Sequence, residues 1–151
     1  MKPRLVELLS TYADYHRHPL NRLVHFIGIP LIVFNAVSLL DWVLLGHVAG
    51  HEVTLAHLAF VAVIGWYATL DRRLAALMAL WYGLCFPLGW YAPWPVIIGA
   101  GVVGWTIQFI GHAVWEKRSP ALFKNLLQAL VGPLYLAALA ARLWPPKDPR
   151  P

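Results

Sequence analysis

Five apolar stretches fill most of the chain after residue 23: 24–45, 53–70, 74–91, 96–115 and 125–144, parted by brief polar or turn-forming interruptions. A hydrocarbon core about 30 Å thick asks for roughly 20 residues of helix. Backbone amides find no water there, so runs of this length fold as helices. With 60% hydrophobic residues, 13% charged residues and a mean hydropathy of +0.60, a soluble domain is excluded. Residues 1–151 are read as a single membrane domain. The one cysteine, Cys85, lies within an apolar stretch and has no internal disulfide partner. Residues 1–22 mix charges, histidines and prolines, so no cleavable signal is expected and the first span acts as its own.

Residues 3–17 read as an amphipathic helix with Pro3 in its first turn, Leu5, Leu8, Leu9, Tyr12 and His16 on one face, and His18 toward water. Pro19 breaks this helix and opens the next. In one continuous helix His16 and His25 would point to opposite sides, whereas a turn at Pro19 lets them converge. The stretch 24–45 forms a first span containing Pro30, and 46–52 a short polar loop. Three further spans follow, with Gly99, Gly101 and Gly104 permitting close helix approach in the fourth. Gly132-Pro133 interrupts the last stretch. The expected fold is therefore an all-α integral membrane protein with four transmembrane helices, an N-terminal amphipathic helix, and a Gly-Pro-broken C-terminal re-entrant or fifth helix.

Basic residues set the orientation. With four spans and a last segment that returns to its own side, all twelve face one way: Lys2, Arg4, Arg17, Arg22, Arg72, Arg73, Lys117, Arg118, Lys124, Arg142, Lys147 and Arg150. Both termini are then cytoplasmic, and a bacterial inner membrane is the expected location. The net charge of +5 belongs to chain beside the bilayer surface, so the lipid bilayer is a partner and nucleic acid is not.

This topology divides the histidines. His16, His18, His25 and His112 gather at the cytoplasmic interface, while His47, His51 and His57 lie roughly 30 Å away across the hydrocarbon. Gln108, His112 and Glu116 recur every four residues, one stripe on a helix face. Polar groups at that depth must be paired or coordinated. Histidine nitrogens with a carboxylate suit iron, zinc or another transition metal, and Asn21 and Gln108 suit groups that orient ligands. Lys117 and Arg118 stand where a substrate carboxylate would be met.

At these residues the chain resembles the membrane-bound 2-hydroxy fatty acid dioxygenases of fatty-acid alpha-oxidation. The carriers are YHRHPLNRLVHFIGIPLI at 15–32, QFIGHAVWEKRSPAL at 108–122 and, more weakly, LVGPLY at 130–135. The resemblance implies an Fe(II) oxidoreductase that uses O2 to convert a 2-hydroxy fatty acid to the acid one carbon shorter plus CO2. It implies His16, His25 and His112 as metal ligands, Glu116 as fourth ligand or base, His18 as an alternate ligand, and Asn21 and Gln108 as matching positions. The acyl chain would run among the spans with its head at Lys117 or Arg118.

Two other readings use the same residues. A small non-enzymatic membrane protein, a transporter or an assembly subunit, would use the cluster for ion passage or structure. Haem ligation by His25 and His112 also satisfies the spacing. Substrate chain length, metal count and oligomeric state leave no mark in the sequence.

Overall fold

The computed structural model describes residues 1–120 and 125–146. Lys124, Lys147 and Arg150, and Ala121 and Leu122 at the end of the second motif, lie outside the described residues. The fold is mostly helical: α1 (Pro3–Asp14), α2 (Pro19–Asp41), a hairpin of β1 (Leu44–Val48) and β2 (His51–Thr54), α3 (Leu55–Leu70), α4 (Arg72–Tyr91), α5 (Trp94–Gly111) running into a π turn (His112–Glu116), and α6 (Leu127–Ala140).

Helices α2, α3, α4 and α5 alternate in direction. The N-terminus of α1 meets the end of α3 where Lys2 Nζ donates to the Thr69 carbonyl at 2.6 Å. That end of the bundle also holds the start of α2, the Asp71–Arg73 turn and the π turn, so its described basic residues are gathered there. Among the described residues three helices, Pro19–Asp41, Arg72–Tyr91 and Trp94–Glu116, are long and apolar enough to cross a membrane. Leu23, Ile27, Leu80, Leu84, Leu88 and Val102 remain exposed on them, an apolar surface that lipid would cover.

The expected 53–70 span is shorter in the structure. α3 has 16 residues, about 24 Å of rise, because Val53 and Thr54 belong to a strand. The first span likewise ends at Asp41 rather than Leu45. The expected loop at 46–52 is replaced by an antiparallel hairpin in which Val48 pairs with His51. Ala49 and Gly50 turn it with φ of 50° and 82°, the two positive values that a two-residue hairpin turn matched to strand twist requires. The all-α expectation is corrected to this extent.

α2 and α5 cross closely. Ile97, Gly101, Gly104, Gln108 and Gly111 form the buried face of α5. A Cβ on Gly104 would stand 3.0 Å from the Gly28 carbonyl, and one on Gly101 would strike the Asn35 amide. Gly99, expected to share this role, faces open space.

α6 corrects the expectation of a break. It runs unbroken through Gly132-Pro133. Proline at the seventh helical position removes one backbone donor, and the flanking Val131 and Leu134 are fully buried, so packing holds the helix together. Gly132 leaves room for Tyr12, whose hydroxyl would lie 3.0 Å from a Cβ there. Tyr67 Oη donates to the Leu130 carbonyl at 2.6 Å, and Tyr135 packs on Tyr12 with ring centres 5.0 Å apart. These contacts hold the middle of α6 against α1 and the last turn of α3. The apolar face of α1, Leu5, Leu8, Leu9 and Tyr12, is buried against the protein.

Candidate metal centre

His16 leaves α1 before the helix can carry it away. The helix ends at Asp14 and its last turn tightens, with the Tyr15 and His16 N–H groups donating three residues back to Tyr12 and Ala13 at 3.1 and 3.0 Å. Pro19 then starts α2, capped by His18, whose Nδ1 accepts from the Leu20 N–H at 3.2 Å. His25 follows on the buried face of α2 and His112 arrives from the end of α5. The three rings meet edge to face, with centres 4.4 Å (His16–His25), 4.8 Å (His16–His112) and 5.0 Å (His25–His112) apart. All three are 2–3% exposed. The convergence of His16 and His25 across Pro19 is present as expected.

Backbone carbonyls select the tautomers. His16 Nδ1 lies 2.7 Å from the Tyr12 oxygen, and His25 Nδ1 lies 2.7 Å from the Asn21 oxygen. A carbonyl only accepts, so each Nδ1 carries the proton and each Nε2 keeps its lone pair. Those two Nε2 atoms face one another at 3.0 Å. Burial, helped by the neighbouring His25, pushes the His16 imidazole down to about 3, so His16 is neutral at physiological pH. His112 Nδ1 is buried without a hydrogen-bond partner.

A cation fits this donor set. Two nitrogens bound at right angles to one ion, each about 2.1 Å from it, stand about 3.0 Å apart. One ligand nitrogen from each of His16, His25 and His112 falls within 4.8 Å of the others. His16 and His25, neutral and held by outer hydrogen bonds, have the arrangement that first-row metals select.

Glu116 stands beside this group. Its Oε1 accepts from the His18 backbone N–H at 2.8 Å and from Asn21 Nδ2 at 3.1 Å. The π turn explains the placement: widening the helix after Gly111 turns Glu116 off the four-residue stripe it would share with Gln108 and His112 in an α-helix. Asn21 therefore joins His25, through its carbonyl, to Glu116, through its amide. Gly111 has no side chain because the Asn21 carboxamide occupies that space. His18 caps α2 and lies parallel to Trp115 at 6.1 Å, outside the three-ring group. His47 and His51 sit on the hairpin, and His57 joins Thr54 and Asp41 at the start of α3, at the opposite end.

A cavity of about 100 Å³ opens from the three histidines between α2, α5 and α6. Gln108 lines it, and its apolar walls include Ile29, Val33, Trp105 and Pro133. Lys117 and Arg118 are exposed and do not line it. Sequence reasoning missed two residues here. Tyr12 supplies the carbonyl under His16 and stacks on its ring at 3.9 Å, and Gln128 lines the cavity from α6. For Gln128 the one available sign was a polar side chain a turn ahead of Gly132-Pro133 in an apolar run.

Antiparallel apolar helices that bring three buried imidazoles to the head of an apolar cavity define a membrane-type helical protein with a candidate metal centre. The chain belongs to the Mpo1-like family, described as 2-hydroxy-palmitic acid dioxygenase Mpo1-like, whose model matches residues 3–142. It is similar to the 2-hydroxy-palmitic acid dioxygenase MPO1 of Saccharomyces cerevisiae, with 31% identity over 123 residues, 82% of this chain and 71% of the yeast protein. No solved structure matches it. The family resemblance carried by the two long motifs is borne out.

Proposed function

We propose that the protein is an Fe(II)-dependent dioxygenase that converts a 2-hydroxy fatty acid and O2 to the fatty acid one carbon shorter, CO2 and water. The observation that carries this reading is the pair of lone-pair nitrogens on His16 and His25, 3.0 Å apart beside His112, in a chain whose yeast relative is named a dioxygenase. The reaction balances without a co-substrate. The hydroxyl-bearing carbon gives up three electrons and the carboxyl carbon one, which together reduce one O2. Bound iron would supply the activation of O2 that a closed-shell acid lacks.

The remaining work falls to this chain. His16, His25 and His112 hold the metal, and the Tyr12 and Asn21 carbonyls keep two of those rings in the ligating tautomer. Glu116 either completes the ligand set or acts as base; in both roles Asn21 and the His18 N–H fix its carboxylate. The cavity takes the start of the acyl chain, and the rest extends among the helices toward lipid. Lys117 and Arg118, just past the π turn, meet the carboxylate as it arrives at the membrane surface.

The arrangement is best read as four crossings. α3 returns the chain from the hairpin to the basic end, so it traverses the layer that α2 and α4 traverse despite its 16 residues. The one-sided positive residues support a metal centre and both termini at the cytoplasmic face of an inner membrane. The haem reading is disfavoured because a cavity of about 100 Å³ between close-packed rings has no room for a porphyrin. The test is to purify the protein without oxygen, measure its iron, and supply 2-hydroxy and unhydroxylated fatty acids of one chain length. Oxygen uptake with the hydroxy acid alone supports the proposal, and equal turnover of both overturns it.

A further inference from the structure

Gln128 is 5% exposed in the first turn of α6, and its side-chain oxygen is buried with no hydrogen-bond partner. An amide oxygen in that state is costly, and native folds keep few of them. This one belongs to a residue that lines the cavity headed by His16, His25 and His112. The walls around it are largely apolar, and none of the donors that also line the cavity, Tyr12, Trp105 and Gln108 among them, bonds to it. A ligand that enters with an O–H group would.

We infer that Gln128 is the residue that reads the 2-hydroxyl of the substrate, its Oε1 accepting the O–H hydrogen. The inference rests on the proposed substrate class and deepens it. An ionised carboxylate has no hydrogen to give this oxygen, and an acyl chain has none either, which leaves the hydroxyl as the matching group. The logic of selection is asymmetric. A site built around a buried acceptor rejects an analogue without the donor far more strongly than an apolar pocket rejects a missing methylene, because the acceptor is left unpaired. Gln128 is thus a specificity-determining residue. It holds the hydroxyl-bearing carbon at one position relative to the three histidines.

The test is a cycle of two proteins and two ligands. Iron-loaded full-length protein and Gln128→Leu are compared without oxygen for binding of a 2-hydroxy fatty acid and of its 2-fluoro counterpart, similar in size but with no hydrogen to donate. Any contribution of the metal to either ligand cancels when each is compared across the two proteins. Gln128→Leu should weaken the hydroxy acid about tenfold or more and leave the fluoro acid within about twofold. Equal weakening of both, or of neither, overturns the inference. Iron content reports whether the variant keeps its fold, and Gln128→Met, of similar length, repeats the cycle if leucine disturbs α6. Aerobic turnover of the hydroxy acid by the unaltered protein is measured alongside. If that turnover is absent, the dioxygenase reading fails; if it is present and the cycle shows no coupling, only the assignment of Gln128 fails.

Discussion

His16 and His25 approach within 3.0 Å through their Nε2 atoms while each Nδ1 donates to a backbone carbonyl. Neutral rings place no hydrogen between those two nitrogens, and the pair is stable beside His112 when a cation takes the lone pairs. Alanine at His25 or His112 should therefore deplete bound metal and abolish activity while the protein remains membrane-inserted, because insertion depends on the apolar helices. Alanine at His16 should behave likewise. His51→Ala and His57→Ala, at the far end, should keep metal and most activity. Elemental analysis of membrane-extracted variants measures this.

Glu116→Gln should lower metal affinity by about 10–100-fold, the usual effect of disturbing groups that orient ligands. The glutamine keeps an oxygen for the His18 N–H but loses the charge that faces Asn21. His18→Ala should be milder, since that imidazole caps α2 and stays outside the three-ring group. Competition with a chelator separates the two variants.

Two alanine substitutions in α5 test the helix crossing. At Gly104 the new Cβ would stand 3.0 Å from the Gly28 carbonyl and 2.9 Å from Ile32, so α2 and α5 must separate. A cost of about 1–3 kcal/mol is expected, with weaker metal binding because these helices carry His25 and His112. At Gly99 the Cβ enters open space and should change neither. Thermal unfolding in detergent compares them.

The one-sided basic residues predict which positions label from which side. Cysteine at Arg72 should react with a membrane-impermeant reagent only from the cytoplasmic side, and cysteine at Gly50 only from the other, with Cys85 silent because it is buried. Arg72 and Gly50 labelling from the same side would remove the crossing assigned to α3.

These sites were legible to different degrees for physical reasons. The meeting of His16 and His25 could be read because Pro19 forces a break whose consequence for direction is simple. Asn21 was readable as an orienting group, one turn from His25, but its link to Glu116 was not. That link depends on a π turn, and a widened turn has no strong residue signature. The Ala49-Gly50 turn lacked the usual Asn-Gly signal, which hid the hairpin. Gly132-Pro133 looked like a break because backbone preference opposes helix there, yet burial of Val131 and Leu134 outweighs it. Gln128 was hidden in the same apolar run. Its significance lies in what its amide lacks, which only packing reveals.

A ferrous titration tests most directly whether the three buried histidines form one iron site that drives oxidative loss of one carbon. Ferrous ion is titrated into chelator-stripped protein with a carboxyl-labelled 2-hydroxy fatty acid in excess, following oxygen uptake and release of labelled CO2. The rate should rise linearly and level off at one iron per chain, with one CO2 released per O2 consumed. Turnover that is already complete in iron-free protein, or oxygen uptake without labelled CO2, would contradict the account.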